Sequence, residues 1–165
     1  MSEHYLVKLF EHNNWANTQI IQACAALGDE HLDAESQSAT KGSIRRTLAH
    51  LVNSQHGYLS LLTLPVEARV AIFPALAELQ QAASISGDGL VALAKDEPIN
   101  HLKTQLQTTD GYFVEPWVVI IQVINHATEH REQICSMLSA LGVTPPVLDG
   151  WAYGEATNAL IPITK

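Results

Sequence analysis

The sequence predicts an all-α protein built as a four-helix bundle, with a small β-hairpin before the last helix. Apolar residues recur at three- and four-residue steps over long stretches, and proline and glycine cluster between those stretches. Asp110-Gly111, a strong tight-turn signal between short apolar segments, predicts the hairpin. We expect residues 1–165 to form a single domain, with residues 147–165 as an ordered C-terminal tail.

The first two helices are delimited by glycine and serine. The first is predicted from about Glu3 to Leu27 and ends at Gly28, a typical C′ residue. A polar stretch follows that is too mixed for a strand. Ser43 is a good N-cap for the second helix, which is predicted to run to about Thr63.

The third helix is predicted to start at Pro74 and to kink or break within the Ser84–Gly89 segment, where serine and glycine weaken helix propensity. The fourth helix is predicted from about Glu115 to Leu141, with Gly142 closing it. The tail beyond it carries Trp151 and Tyr153 and is predicted to be an ordered loop lying on the bundle.

The composition excludes several functional classes. Nine Lys and Arg residues against seventeen Asp and Glu give a net charge of −8, which argues against nucleic acid as a partner. The longest apolar runs are far too short to cross a bilayer, and the N-terminus lacks a secretory charge pattern. Two cysteines do not make a disulfide framework. We therefore expect a soluble, cytoplasmic protein.

Eight histidines stand out in this chain, and two of them share one face of the fourth helix. Because each helical residue advances about 100°, His130 lies about 40° from His126, inside an apolar stripe that includes Ile134. Two imidazoles one turn apart can bind a single metal ion. From spacing alone, a pair of hydrogen-bonded core histidines remains an equally open interpretation.

The second helix offers a third candidate ligand. His50 lies at the margin of that helix's apolar stripe and can turn into a cleft between helices. Three histidines from two helices would form a site with open positions, as in catalytic metal sites. The other histidines have surface or helix-end positions by default, and the cysteines point elsewhere, Cys24 into the core and Cys135 about 180° from the His126 side. These other histidines are His4, His12, His31, His56 and His101.

The segment His126–His130 also matches the H-x-x-E-H string of a class of zinc peptidases, with Glu129 as the general base. Few acidic residues follow to supply a further ligand, and no sheet is evident to bind a peptide. The peptidase hypothesis is therefore minor. Glu129 is expected either to face solvent beside Gln122 and Gln133 or to orient a ligand.

Three segments resemble the DinB/YfiT-like metalloenzyme family. They are F-E-H-N-N-W-A at 10–16 followed by Asn17, T-L-A-H-L at 47–51 with Tyr58 beyond, and N-H-A-T-E-H-R-E-Q-I at 125–134. The resemblance covers almost the whole chain. One departure is Glu132, which stands where family members often carry glycine.

The resemblance implies a bundle of up-down-down-up type, a homodimer and a bound divalent metal ion, usually nickel or zinc. Carried onto this sequence, the metal ligands would be His50, His126 and His130, the residues that the helical geometry also brings forward. Family members with known chemistry are similar to thiol-dependent S-transferases and to mycothiol-dependent maleylpyruvate isomerase. A low-molecular-weight thiol is therefore a further candidate cofactor.

Three functional hypotheses follow. The leading one is a metal-dependent enzyme that acts on a small molecule by a thiol S-transferase-like or hydrolytic reaction. The alternative is a non-catalytic small-molecule-binding or stress-response module whose metal is structural or sensory. The third is a bundle whose histidines only pack in the core.

Overall fold

The computed structural model describes residues 5–37, 39–95 and 105–163 of the chain. Within these ranges it confirms an all-α fold with a small hairpin before the last long helix. The helices are α1 Tyr5–Ala25, α2 Asp29–Asp33, α3 Ile44–Thr63, α4 Leu79–Lys95, α5 Pro116–Ala140 and α6 Gly150–Ala156. The hairpin strands are β1 Leu106–Gln107 and β2 Phe113–Val114, which pair antiparallel with Leu106 opposite Val114.

The four long helices pack as a square, in which α1 and α3 each contact both α4 and α5. Side-chain contacts fix their directions. Gln55 of α3 binds Ala83 and Ser86 of α4, and Leu59 lies over Gly89 one turn further along both helices. These two helices therefore run parallel.

Two other neighbouring pairs, α1 with α4 and α3 with α5, run antiparallel. Asn14 of α1 binds Asp88 of α4, whereas Glu11, nearer the start of α1, pairs with Lys95 at the end of α4. His50 of α3 lies beside His126 and His130 of α5, and Tyr58, further along α3, contacts His126. The topology is up-down-down-up, as the family resemblance implied, and the connection at 64–78 must return along the bundle.

The interior has two apolar clusters separated by a buried polar layer. Ile20, Leu48 and Ile134 belong to the first cluster, and Phe10 and Val123 belong to the second. Between them lie five buried polar side chains that come from all four long helices. These are Asn13 and Asn17 of α1, Gln55 of α3, Ser86 of α4 and Arg131 of α5.

Helix α3 begins as the sequence predicts, with the Ser43 side chain accepting a hydrogen bond from the backbone N–H of Arg46. The prediction of a kink or break at Ser84–Gly89 is wrong, because α4 is continuous from Leu79 to Lys95. Close packing explains this, since a Cβ at Gly87 would meet Asn14 and a Cβ at Gly89 would meet Leu59. The glycines are required by helix contacts and do not end the helix.

Two short helices replace stretches for which the sequence predicted none. The tail forms α6 after Asp149, whose side chain caps the backbone N–H of Ala152, so the ordered-loop prediction is wrong for that segment. The polar stretch after Gly28 contains α2. The alternation of apolar and polar residues that helps to predict the hairpin begins at Leu102 and Thr104, which lie outside the described residues. Within the described part of the chain, no helix is both long and apolar enough to span a membrane.

Candidate metal centre

Helices α3 and α5 bring three histidine side chains together at one point of the bundle. The Nε2 atom of His126 lies 3.0 Å from Nε2 of His50 and 3.1 Å from Nε2 of His130. His130 is buried and the other two are half-buried. Among the described residues, no cysteine or carboxylate joins this cluster, so the protein offers three ligand atoms and leaves further positions open.

Hydrogen bonding alone does not satisfy this arrangement. Nε2 of His126 faces two other ring nitrogens, and a neutral imidazole nitrogen either carries one proton or accepts one. Only one of the two contacts can therefore be a hydrogen bond at any moment. A cation shared by the three nitrogens would satisfy every lone pair, since two imidazoles each about 2.1 Å from one ion lie about 3 Å apart at a right angle.

The environment keeps His50 and His126 in the neutral form that binds metals. Burial lowers the pKa of His50 to about 4, with further lowering from the Lys41 charge and from the neighbouring histidines. Burial likewise lowers the pKa of His126 to about 4, helped by His130 and Lys41. At neutral pH both side chains carry a free lone pair, so the chemistry of the donor set fits a divalent ion.

Gln133 fixes the orientation of His130. Its Oε1 atom lies 3.0 Å from Nδ1 of His130 and is an acceptor only, so Nδ1 carries the proton and Nε2 presents its lone pair to the cluster. The amide is itself oriented, because its Nε2 donates to Glu129 at 3.4 Å and Thr40 donates to its Oε1 at 3.4 Å. Glu129 faces solvent as predicted and touches the site only through Gln133.

The buried polar layer anchors α5 directly beside His130. Arg131 donates from Nη1 to Oδ1 of Asn13 and of Asn17, at 2.7 Å each, and from Nη2 to Thr128 at 3.0 Å. Both asparagines donate in turn to Oε1 of Gln55. Burial lowers the pKa of Arg131 to about 10, so the guanidinium stays charged at neutral pH. The acceptors of its hydrogen bonds among the described residues are neutral oxygens.

The remaining histidines lie apart from the cluster. His12 is half-buried, contacts the carbonyl oxygen of Leu148 at 2.8 Å and packs its ring against Trp15 and Tyr153, so its surface assignment is wrong. His56 is also only half-exposed, beneath the connection after α3, with Nε2 3.2 Å from the carbonyl oxygen of Val70. His31 is exposed on α2. His4 and His101 lie outside the described residues.

The two cysteines are structural in this fold. Cys24 is fully buried in the first apolar cluster, as predicted, and burial raises the pKa of its thiol to about 12. Cys135 is half-buried against the same cluster, and burial also raises its pKa. Both thiols are therefore protonated at neutral pH, and neither contributes to the histidine cluster.

Sequence reasoning missed the residues that support the three histidines. Asn13 and Asn17 are one turn apart within the apolar face of α1, a spacing that signals a buried polar pair. Gln133 is one turn after His130, a position from which an amide reaches a ligand's second nitrogen. For Arg131 the sequence gives no signal of burial, because no local pattern shows that α1 faces it.

Fold and cluster together define a class of protein, an up-down-down-up helical bundle in which two helices bring three histidines to one point. The model of the DinB family matches residues 1–164, so the chain belongs to the DinB family. The chain is also similar to a protein named Protein DinB from Bacillus subtilis (strain 168). The two are 27% identical over 162 residues, which cover 90% of this chain and 93% of the relative.

Proposed function

We propose that this protein is a metal-dependent enzyme that acts on a small molecule, by a thiol S-transferase-like or a hydrolytic reaction. One observation carries the proposal, the convergence of three imidazole nitrogens with no fourth protein ligand among the described residues. Structural metal sites are closed by four protein ligands, whereas catalytic sites keep a position for water or substrate. The chain's membership of the DinB family supports this proposal.

Each residue of the centre has a defined role in this proposal. His50, His126 and His130 would hold the ion, which we expect to be nickel or zinc. A divalent ion there would act as a Lewis acid and make a thiol or a water molecule more nucleophilic near neutral pH. Gln133 holds His130 in the tautomer that binds metal, and Tyr58 packs its ring at 5.6 Å from the His126 ring.

The reaction classes differ in what attacks the substrate. In a transfer reaction, the thiol sulfur forms a bond to an electrophilic carbon, the leaving group departs with its electron pair and the thiol proton passes to solvent. In hydrolysis, water replaces the thiol. A low-molecular-weight thiol is thus a proposed co-substrate for the first class only.

The experiment is a turnover screen on the untagged full chain with thiol, electrophile and ester panels. We expect activity that disappears on chelation, returns with added nickel or zinc, and is lost in His126→Ala. His31→Ala removes an exposed histidine outside the cluster and serves as the matched control. Metal-loaded protein without metal-dependent turnover in any panel would contradict the enzyme proposal.

The alternative function, a small-molecule-binding or stress-response module with a structural or sensory metal, makes a different prediction. It requires stoichiometric ligand binding without turnover. A structural metal is expected in a site that four protein ligands close, whereas the described residues supply three. The same screen, run with binding measured beside turnover, separates the two.

The remaining proposals concern partners and location. We propose a small-molecule substrate, no nucleic acid partner, a cytoplasmic location and a homodimer. The net charge of −8 supports the absence of nucleic acid. The homodimer rests on the family resemblance, and light scattering tests it by giving twice the chain mass of 18.0 kDa.

A further inference from the structure

A cavity of about 380 Å³ lies against the same face of α3 that carries His50. On this helix, Asn53, Ser54 and Gly57 follow His50 at steps of three and four residues, so they share its side. The opposite wall comes from the connection after α3 and from the hairpin turn. The side chains that matter for binding are Asn53, Ser54, Tyr58, Arg69, Thr108 and Thr109.

This cavity adjoins the histidine centre at two places. Tyr58 lines the cavity and also packs edge-on against His126, with ring centroids 5.6 Å apart. Asn53 lines the cavity and also a second, smaller cavity of about 250 Å³ that His50 itself lines. Tyr58 and Asn53 therefore stand between the larger cavity and the histidines, and a molecule in that cavity would extend past them to reach the candidate ligands.

Of the described residues that line this cavity, Arg69 is the only charged one. Its guanidinium is held in place by backbone carbonyls, with Nε donating to Leu64 at 3.0 Å and Nη1 donating to Gln107 at 2.5 Å. Across the described ranges, no carboxylate forms an ion pair with Arg69. The guanidinium is thus fixed in position, and its remaining N–H groups are left for another acceptor.

We propose that this cavity binds the anionic group of the substrate, a carboxylate or a phosphate, with Arg69 as the residue that recognises it. A planar guanidinium can donate two parallel hydrogen bonds to either a carboxylate or a phosphate. A guanidinium that is already held in position loses little conformational entropy on binding. The hydroxyls of Ser54 and Thr109 are further donors in the same lining. The inference rests on the proposed function and adds that the substrate is an anion whose reactive end points to the histidines.

The overall charge of the protein makes such a residue necessary. At a net charge of −8, the chain repels anions at long range, so an anionic substrate needs a local cation. The lining that the structure describes includes Arg69 and no carboxylate. Lys41 is the rival, because its charge acts on both His50 and His126. Unlike Arg69, Lys41 is exposed and lies outside the lining of this cavity.

The test is calorimetric titration of the full chain with succinate and with inorganic phosphate, on nickel-loaded and on chelated protein. The chelated arm removes direct coordination of the anion to a metal ion. We expect binding in both arms, weakened about tenfold or more by Arg69→Gln and less by Arg69→Lys. Lys95→Gln, which removes a cation far along α4, should bind as the wild type does.

Each outcome decides the proposal. Equal binding by Arg69→Gln and wild type, loss only in Lys41→Gln, or no binding of either probe overturns it. Tighter binding of succinate assigns a carboxylate, and tighter binding of phosphate assigns a phosphate. If Arg69→Gln unfolds, Ser54→Ala replaces it, with an expected loss of about threefold from one hydrogen bond.

The same experiment separates this inference from the proposed function. Metal content is measured on every variant, and Arg69→Gln should retain as much nickel as wild type. A chain that takes no metal but binds succinate through Arg69 refutes the metal centre and supports the anion cavity. A chain that binds metal but no anion supports the metal centre and refutes the anion cavity.

Discussion

The Oε1 atom of Gln133 accepts the Nδ1 proton of His130 at 3.0 Å, and this contact turns the other ring nitrogen of His130 toward His126. One turn of helix thus links a candidate ligand to the amide that sets its tautomer. The relationship matters because ligand-orienting partners strongly affect metal affinity.

Replacing Gln133 with leucine should weaken metal binding without unfolding the bundle. Loss of an orienting hydrogen bond typically costs about 10- to 100-fold in metal affinity. Competition titration with a chromogenic chelator measures this. Ser136→Ala, an exposed change on the same helix, is the control, and equal affinities for the two variants would show that Gln133 has no orienting role.

Replacing Arg131 with methionine should destabilise the protein strongly. The change leaves Oδ1 of Asn13 and of Asn17 buried without their donor, which we expect to lower the free energy of unfolding by about 2–5 kcal/mol. Urea denaturation measures it. The same substitution at Arg45, whose ion pairs with Asp29 and Asp33 are exposed, should have a much smaller effect. Comparable losses would refute the buried layer as a source of stability.

Alanine substitution of two helical glycines should change stability in opposite directions. A Cβ at Gly87 would overlap Oδ1 of Asn14, so the variant must displace that side chain and should lose about 1 kcal/mol or more. A Cβ at Gly57 meets nothing within 4 Å, so Gly57→Ala should gain about 0.5–1 kcal/mol from helix propensity. Thermal unfolding of both variants checks the signs, and a stabilised Gly87→Ala would contradict the packing described for α1 and α4.

Cys24 should resist alkylation in the folded protein. Burial raises the pKa of its thiol from 9.0 to about 12, so the reactive thiolate is scarce at pH 8 and increases only as the pH rises toward 12. Peptide mass spectrometry after iodoacetamide treatment should show labelling of Cys24 in urea but not in native buffer. The raised pKa of Cys24 also makes the free energy of unfolding depend on pH. Its stabilising contribution is fully present below pH 9 and is lost as the pH rises through about 12. Rapid labelling of native Cys24 would contradict its burial.

Local signals in the sequence predicted most of the fold. Ser43 as an N-cap and Asp110-Gly111 as a turn act within a few residues, and the structure confirms both elements. The glycines of α4 misled the prediction because their role is set by Asn14 and Leu59 on other helices. Helix α6 is too short for apolar periodicity to reveal, and Asp149 as an N-cap was the one signal available.

The candidate ligands were predictable because they follow from the periodicity of single helices. The surroundings of the site were not, because they depend on contacts between distant parts of the chain. His126 and His130 share a face by helix geometry alone, and His50 follows from the margin of its own stripe. Arg69 lies in an irregular connection and is fixed by the carbonyl oxygens of Leu64 and Gln107. Such contacts depend on the path of the chain in three dimensions, and no periodicity encodes it.

Metal content tests the central claim most directly. Mass spectrometry of the untagged protein, beside a His50→Ala, His126→Ala double variant and a His31→Ala control, is the measurement. The account predicts a near-stoichiometric divalent metal in the wild type and the control, and none in the double variant. Wild-type protein that is free of metal and fails to take up added nickel or zinc would contradict it.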